Sequence, residues 1–559
     1  MRKINSLIKN EFIKQYKKVS TKVILILILV SAVALPFAVK ALSERENNHF
    51  YLESYKEHLS YIENTIKSLD SKTDKGSQLQ KLYLEAEKTQ VKMTIDNNIN
   101  YNDWRQESTH QWLDKEIEAI TIKAIIDGYD ETTILENGRF RGKENGNGAL
   151  TAYYQMPKEE VQKALDKTKK ASSELKDSIE KNDFMKYLDK SISSLKEAVT
   201  SNKDMIKVLE EKIKNEPKNE QAKNELEQSK KQLEITEERL KATQYRYDNK
   251  VPYDDKDWRN LTIKDLAMNA ERKGQKLSTE EEFKQQNTYE ISQGLTYEDY
   301  KKNYEDNQQK VKEAIELDWY SLKNNIPQVK FANDARNMVD NLYLMYVSVV
   351  IVLCIIIAGG IVSSEYSTGT VRLLMIRPVS RWKFLLSKLL TVFIIGYSTL
   401  ILSVLMIVLS SGALLGFGGF ATKVLTYSNG AIVQQNYLLS MIPKLLFSSI
   451  SLIFIVSVAF MLSTVVKNTA LAVGLTTVLY LGSSPATFIM ARLKMKWVAN
   501  TVLPYMNLSS FYGDSFTAEM LKNQFNIILD KNFGAMQLAV LAAVLIGISF
   551  AVFTKRDVK

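Results

Sequence analysis

The sequence predicts an all-α membrane protein with six transmembrane helices and a large, mostly helical, coiled-coil-containing extracellular domain between the first and second spans. Two observations support this prediction. Six uncharged stretches are long enough to cross about 30 Å of hydrocarbon, which takes about 20 helical residues. The region between the first two stretches is strongly charged instead. The six stretches are Val23–Val39, Leu342–Val362, Leu389–Leu415, Leu445–Val466, Thr469–Ala491 and Gly534–Thr554.

The N-terminal segment 1–20 is predicted to be an amphipathic helix on the membrane surface. Its apolar residues recur at helical spacing with lysines between them, which is typical of interfacial helices. Residues 21–41 then form the first transmembrane helix. A basic region before an apolar core is also the pattern of a cleaved signal peptide. The long apolar run and the lack of a clean cleavage site favour a retained helix. The apolar residues of the segment are Ile4, Leu7, Ile8, Phe12 and Ile13.

Lys and Arg concentrate in the first 22 residues, in the loop 363–388 and in the tail after Thr554. Because short flanks rich in these residues stay on the cytoplasmic side, we expect both termini and this loop in the cytoplasm. The abundance of Lys, Asn and Ile, with a single Cys, is typical of a low-GC bacterial source, so we expect the membrane to be a bacterial cell membrane. One segment, 491–532, is basic yet external in this scheme. Its apolar part, 497–513, is predicted to dip into the bilayer and return.

The insert, 42–340, is predicted to be extracellular and to fold by helix packing, because the single cysteine, Cys354, lies in the second span and no disulfide can form. A seven-residue repeat precedes Pro217, which breaks the helix, and Asn202 fills its one polar core position. An antiparallel hairpin or stalk is expected. The alternatives are one continuous helix over 161–213, about 75–80 Å long, and a compact helical domain. The phase of the apolar repeat slips near Asn182. The repeat comprises Ile192, Leu195, Val199, Ile206, Leu209 and Ile213.

A weak duplication also marks the insert. The sequence NYNDWR at 100–105 resembles YDDKDWR at 253–259, and each follows a charged helical stretch. We interpret the two as equivalent turns in which Trp104 and Trp258 anchor two arms.

No residue pattern in the chain predicts catalysis. The three histidines lack metal-ligand spacing, and the carboxylates of the insert alternate with Lys as on a solvated helix face. There is no G-x-x-x-x-G-K-[ST] motif for nucleotide phosphates. We therefore predict no catalytic, cofactor or metal site in this chain. The net charge of +10 is explained by flanks facing anionic lipid, so membrane lipid is expected as a partner and nucleic acid is not.

The loop between the second and third predicted spans, SSEYSTGTVRLLMIRPVSRWKFLLSK at 363–388, has a more specific pattern. Thr370 is suited to cap a short helix over 371–376, which Pro378 would end. Ser380 is suited to cap the helix that enters the membrane. The pattern predicts a short, rigid helix parallel to the inner membrane face.

This loop resembles the permease subunits of type-two ABC exporters. In that family a GT turn, a leucine pair, a P-x-S-R element and a downstream Lys join the second and third spans and form a coupling helix, which docks into a separate ATPase. The surface helix, six spans and half-inserted loop are similar too, whereas the insert is far larger than the family's external loop. The matching positions are Glu365, Gly369, Thr370, Leu373, Leu374, Pro378, Ser380, Arg381 and Lys388. Docking of this helix on an ATPase also needs apolar contacts and charges that fix its orientation. We therefore add Met375 as an apolar contact, and Arg372 and Arg377 as orienting charges, to the predicted site.

The last five uncharged stretches predict a transmembrane domain of five helices over 341–559, with the loop 363–388 on its cytoplasmic side. The resemblance implies that the chain is a membrane-spanning permease subunit. It implies partner ATPase subunits that bind ATP and Mg²⁺, and a second permease subunit, identical or related. The uncharged span cores favour an amphipathic cargo (an antimicrobial peptide, a drug or a lipid) that is exported or removed. A non-transporting receptor or secretion scaffold with a coiled-coil ectodomain is the main alternative. A sensor or resistance module whose outer domain captures a peptide is the other.

Overall fold

The computed structural model describes residues 2–45, 48–137, 147–292, 294–370, 380–511 and 516–555. Helices account for most of these residues, as the all-α prediction requires. From the N-terminus they are α1 Arg2–Lys17, α2 Val19–Arg45, α3 Asn48–Leu69, α4 Lys75–Asp96, α5 Trp104–Ile126, α6 Glu131–Asn137, α7 Asn147–Gln155, α8 Lys158–Glu180, α9 Phe184–Asn215, α10 Glu220–Asp248, α11 Trp258–Gly274, α12 Glu280–Gln286, α13 Thr288–Ser292 and α14 Tyr297–Asn324. Then follow α15 Ala335–Ile361, α16 Ser363–Ser367, α17 Arg381–Leu415, strands β1 Lys423–Ser428 and β2 Ala431–Asn436, α18 Tyr437–Val466, α19 Thr469–Arg492, α20 Phe516–Phe525 and α21 Lys531–Lys555.

The chain divides into two compact units. The first, here called the membrane unit, comprises residues 1–39 and 275–559, and the second, the insert unit, comprises Lys40–Gly274. Residues 275–334, assigned to the insert by the sequence, thus cluster with the membrane helices.

Six helices in the described part of the chain are long and apolar enough to cross a membrane. They are Val19–Leu42, Ala335–Ser367, Arg381–Leu415, Tyr437–Val466, Thr469–Arg492 and Lys531–Lys555. The six-helix prediction is confirmed at this level. Helix α15 lies at the centre of the membrane unit and packs against α17, α18 and α19.

Close packing around α15 depends on small residues. A Cβ atom added to Gly359 would lie 2.6 Å from Val473 Cγ2 and 3.1 Å from the Val473 nitrogen, and one on Gly396 would lie 2.6 Å from Cys354 Sγ. Small residues of this kind let membrane helices approach closely. Dispersion contacts then stabilise the helix pair, because the hydrophobic effect does not drive helices together within lipid. Gly359 therefore sets the approach of α15 and α19.

A β-hairpin that the sequence analysis did not predict follows α17. Strands β1 and β2 pair antiparallel, with Ser428 opposite Ala431. The two turn residues, Asn429 and Gly430, both have positive φ, at 51° and 78°. Two-residue hairpin turns of type I′ require positive φ at both turn residues, and Asn-Gly adopts this conformation with little steric strain.

The apolar segment before the last membrane helix enters the helix bundle. It forms three short 3₁₀ turns, Lys496–Asn500, Leu503–Tyr505 and Leu508–Phe511. The Leu508 N–H donates to Ser451 Oγ at 2.9 Å and Asn507 Nδ2 donates to Ser348 Oγ at 3.3 Å. Both serines lie half-way along their helices. The segment therefore reaches the middle of α15 and α18, and its entry into the bilayer stays a prediction.

In the insert unit, α9 and α10 form the predicted antiparallel hairpin. Asn202 Nδ2 donates to Thr236 Oγ1 at 3.4 Å across the pair. The ion pairs Lys203–Glu237 at 2.8 Å and Lys230–Glu210 at 2.9 Å keep one antiparallel register. The continuous-helix alternative is wrong, since α8 ends at Glu180 and the chain turns at Asn182, whose φ is 51°. Asn adopts this left-handed conformation more readily than most residues.

The duplicated motif forms two equivalent turns. Asp103 caps α5 by accepting from the Arg105 N–H, and its carboxylate pairs with the Arg105 guanidinium at 2.5 Å. Asp257 does the same for Arg259, with a 2.7 Å pair. An Asp at the N-cap with an Arg two residues on thus makes one self-contained cap. The Trp environments differ, because Trp104 is buried whereas Trp258 is only partly so.

We predict that Gly359→Ala destabilises the protein by about 1–3 kcal/mol, since the added methyl overlaps Val473 and the backbone must shift. Gly474 is the matched control: it lies on α19 beside Val473, and a Cβ added there would meet nothing within 4 Å. Gly474→Ala should therefore be neutral or gain roughly 0.5–1 kcal/mol from helix propensity. Thermal unfolding of the purified chain in detergent measures both. Equal midpoints for the two variants would contradict the close contact.

Candidate functional site: a buried ion cluster beside the loop 363–388

The loop singled out by the sequence is bounded by α16 and α17, and the central residue of its surroundings is Lys388. This lysine lies two helical turns inside α17 and is fully buried. Its ammonium lies 2.9 Å from Glu365 Oε1, on α16, and 3.0 Å from Glu11 Oε1, on α1. One buried cation therefore joins the last turn of the second span, the first turns of the third and the N-terminal helix.

Further polar groups complete the ion cluster. Lys14 also pairs with Glu365, and the Thr370 hydroxyl donates to the same carboxylate. Gln15 Nε2 donates to Glu11 Oε1 at 3.1 Å. We define the ion cluster as Glu11, Lys14, Gln15, Glu365, Thr370 and Lys388. Its two carboxylates and two ammonium groups balance in charge, which is the condition under which buried charges are tolerated.

Helix α1 presents an unusual face to the bundle. Glu11 and Gln15, one turn apart, are its buried residues in the described range, while Phe12 packs against the apolar core. At the bend between α1 and α2, burial and the positive charge of Lys14 lower the pKa of the Lys18 ammonium, against the opposing effect of Glu11. The helix is thus held to the bundle by polar contacts.

On its other side, α16 is bound to the turn between α18 and α19. The Ser363 N–H donates to Ser463 Oγ at 2.9 Å, and the Ser363 and Thr469 hydroxyls share a 2.7 Å hydrogen bond. The Lys467 ammonium lies 4.8 Å from the centre of the Tyr366 ring, within the range of a cation–π contact. Residues 363–370 therefore contact four other helices, α1, α17, α18 and α19.

The start of α17 is fixed to the last membrane helix. Arg381 Nη1 donates to the Thr554 carbonyl at 3.2 Å, and the Phe384 and Phe553 rings stack with centroids 6.0 Å apart. Ser380 occupies the N-cap position as predicted, but its side chain makes no capping hydrogen bond. Its carbonyl accepts from the Lys383 N–H at 3.0 Å instead.

The structure brings together three of the predicted site residues, Glu365, Thr370 and Lys388. Gly369 follows α16 with φ at 71° and donates its N–H to the Tyr366 carbonyl at 3.2 Å. Thr370 bonds Glu365, a partner that the sequence did not indicate. The remaining predicted residues, with the short helix expected over 371–376, lie outside the described residues: Arg372, Leu373, Leu374, Met375, Arg377 and Pro378.

Sequence reasoning missed the contribution of α1 to this site. The signal was present, because Glu11 is the one acid among seven cations in the first 22 residues. A lone carboxylate on the face of an otherwise basic helix, with Gln15 one turn later, indicates a buried cationic partner elsewhere. The partner's identity requires tertiary information, since Lys388 lies far away in the chain.

A second buried cluster lies at the opposite end of α15, about 40 Å away at 1.5 Å per residue. The fully buried Arg336 pairs with Asp334 at 2.8 Å, and the Tyr437 hydroxyl donates to Asp340 Oδ1 at 2.9 Å. Lys444 pairs with Asp340 at 2.9 Å. Its charges are balanced between α15 and α18, which favours a structural clamp over a binding site.

The comparisons with known proteins concern the C-terminal part of the chain. Residues 313–559 match a family described as a protein of unknown function, DUF2705. The chain is 29% identical over 255 residues to the "Uncharacterized protein YhcI" of Bacillus subtilis (strain 168), covering 44% of this chain and 76% of that protein. It is 32% identical over 148 residues to the "Uncharacterized membrane protein YdbK" of the same strain, covering 26% and 54%. No solved structure matches.

We predict that Lys388→Met destabilises the protein by about 3–5 kcal/mol, because two buried carboxylates lose their shared cation. Unfolding of the purified chain in detergent measures the loss. Lys383→Met, on the same helix but partly exposed, is the matched control and should change stability by less than about 0.5 kcal/mol. Adding Glu11→Gln to Lys388→Met should recover part of the loss, because Lys388 is the one cation that pairs with Glu11 among the described residues. Equal effects of the two lysine variants would show that Lys388 is not buried among carboxylates.

Proposed function

We propose that this chain is the membrane-spanning permease subunit of a bacterial ABC-type transporter, and that the loop 363–388 receives movement from a separate ATPase. The observation that carries the proposal is the Glu365–Lys388 pair, 2.9 Å long and buried, which closes the base of the loop. Residues that match the permease signature at both ends of the loop are thus in direct contact. Such bracing suits a loop that transmits force to the helices on either side of it.

The bracing explains how force on the loop would reach the membrane helices. Glu365 continues from the second span, Lys388 belongs to the third, and Glu11 attaches the N-terminal helix to both. A push on residues 371–379 would therefore shift three helices as one group, because separating them would expose unpaired charges. Such rigid-body tilting is a common way for a domain to open or close a cavity.

The proposal assigns ATP hydrolysis, with ATP and Mg²⁺, to the partner ATPase, and pairs this chain with a second permease subunit, identical or related. It places both termini and the ion cluster on the cytoplasmic side of the bacterial cell membrane, supported by the Lys and Arg distribution. The cargo would be amphipathic, an antimicrobial peptide, drug or lipid that is exported or removed. The uncharged cores of the spans support such a cargo.

Co-purification tests the proposal. The chain, tagged at its C-terminus and expressed at native level, is extracted in mild detergent, and bound proteins are identified by mass spectrometry. We expect an ATPase with Walker motifs in stoichiometric amounts, and ATP hydrolysis in the purified complex. A receptor or scaffold would instead retain no nucleotide-binding subunit, and that result would refute the transporter assignment.

We predict that Gly369→Pro abolishes coupling while the chain still inserts into the membrane. Proline fixes φ near −65° and lacks the N–H, whereas Gly369 has φ at 71° and donates to Tyr366. Leu374→Asp should act similarly by weakening ATPase docking. ATPase activity of the co-purified complex, normalised to membrane-inserted protein, is the measurement.

Gly369→Asn is the matched control, since Asn tolerates left-handed φ, and should retain most of the activity. If the Gly369→Pro variant still co-purifies with an ATPase whose activity equals that of the unaltered complex, the loop is not the point of coupling.

A further inference from the structure

The insert unit contains a polar cleft of about 440 Å³ that no predicted role explains. Its volume lies within the range of small-molecule sites, about 300–1,000 Å³. The lining residues are Asn100, Asn102, Asp103, Trp104, Asn182, Tyr253, Asp254 and Lys256. They come from the two duplicated turns and from the turn between α8 and α9. The duplication that the sequence showed therefore places two equivalent turns around one cleft.

Two hydrogen-bond acceptors in this cleft have no partner. Asn100 Oδ1 and Asn102 Oδ1 are shielded from solvent, and neither accepts a hydrogen bond from a described residue. A buried acceptor without a donor is unfavourable, and native proteins rarely leave one unless water or a ligand supplies the donor. Because the terminal torsion of Asn is broad, both oxygens can turn to meet a donor that enters the cleft.

One carboxylate of the cleft is available to a cationic donor. Asp254 is exposed, and no cation of the described ranges forms an ion pair with its carboxylate. Its Oδ1 accepts only the Lys256 N–H, at 2.9 Å, among the hydrogen bonds found in those ranges. The second carboxylate, Asp103, is already neutralised by Arg105. Asp254 and the two amide oxygens thus form a set of acceptors, beside one ammonium group, Lys256.

The aromatic residues of the cleft are already engaged. The Trp104 ring packs against Phe184 and Tyr187, with centroids 5.6 and 4.9 Å away. Arg246 and Lys264 lie 5.1 and 4.9 Å from the centre of the Tyr253 ring. A sugar ring, which needs a free aromatic face to stack on, fits this arrangement poorly. A zinc-type site is also disfavoured, because the described residues hold no group of three or more His, Cys, Asp or Glu side chains that could hold a metal ion.

We propose that this cleft binds a basic side chain of a peptide. A guanidinium or ammonium group would donate to Asp254 and to the oxygens of Asn100 and Asn102, while Lys256 donates to a backbone carbonyl of the same peptide. A guanidinium suits this set best, since its five N–H groups in a fixed fork satisfy several acceptors at once. The site is independent of the coupling loop and extends the proposed function with a recognition site for peptides.

The test uses the full chain in nanodiscs of phosphatidylcholine, whose zwitterionic surface does not attract basic peptides. The probe is fluorescein-labelled Gly-Gly-Arg-Gly-Gly amide, and the matched neutral probe carries citrulline in place of arginine. Fluorescence anisotropy measures the dissociation constants. We expect the arginine peptide to bind at least about tenfold more tightly than the citrulline peptide, as a charge-assisted hydrogen bond requires.

Variants locate the binding. Asp254→Ala should weaken binding of the arginine peptide about tenfold or more. Asp248 is an exposed carboxylate of the same unit outside the cleft, so Asp248→Ala should leave the affinity for this peptide unchanged. Asn102→Asp should tighten binding by roughly tenfold, because it places a second free carboxylate at an unpartnered oxygen. A gain of affinity cannot arise from misfolding.

Equal binding of the two peptides, no binding of the arginine peptide at about 1 mM, or equal losses in Asp254→Ala and Asp248→Ala would each overturn the proposal. Binding of a neutral oligosaccharide in place of the peptide would do the same. The assay contains no ATPase, so such a failure leaves the result of co-purification untouched.

Discussion

The membrane unit depends on the burial of one charge, that of Lys388. A buried ammonium is tolerated only where carboxylates surround it closely, and here those carboxylates come from two other helices, at 2.9 and 3.0 Å. The requirement fixes the rotation of α1, α16 and α17 relative to one another. Apolar packing alone is less selective in a membrane, where lipid competes with helix contacts. The ion cluster therefore supplies the specificity of this corner of the bundle.

Much of the membrane unit was predictable, and for a physical reason. Spanning a bilayer imposes a length and a composition that show in any single sequence, so all six spans were identified. The Asn429-Gly430 hairpin was missed although its turn residues carry a known signal, because its two six-residue strands adjoin much longer apolar helices. At the site, Glu365 and Lys388 were found through the loop pattern. Glu11 was not, because ion pairing between distant segments leaves no periodic signal in the sequence.

The insert unit shows the same contrast. The hairpin of α9 and α10 was predictable from the seven-residue repeat, because this spacing places apolar residues along one side of a helix that pairs with a neighbour. The continuous-helix alternative overestimated the length of the helix. Asn182, with φ at 51°, interrupts the helix where the phase of the apolar repeat slips, although no proline or glycine stands there. The duplicated Asp-Trp-Arg turns were visible as sequence, but the cleft between them was not. Convergence of two turns on one cavity is a tertiary property.

The ion cluster joins α16, at the start of the loop 363–388, to the N-terminal helix, so we expect the two segments to move together. If the chain co-purifies with an ATPase as proposed, hydrogen–deuterium exchange of that complex, with and without a non-hydrolysable ATP analogue, measures this coupling. We expect the analogue to change exchange in both segments of the unaltered chain, and in the loop alone when Lys14→Met and Lys388→Met together remove the two cations that join α1 to α16 and α17. If α1 still responds to the analogue in that double variant, the ion cluster is not what couples the two segments.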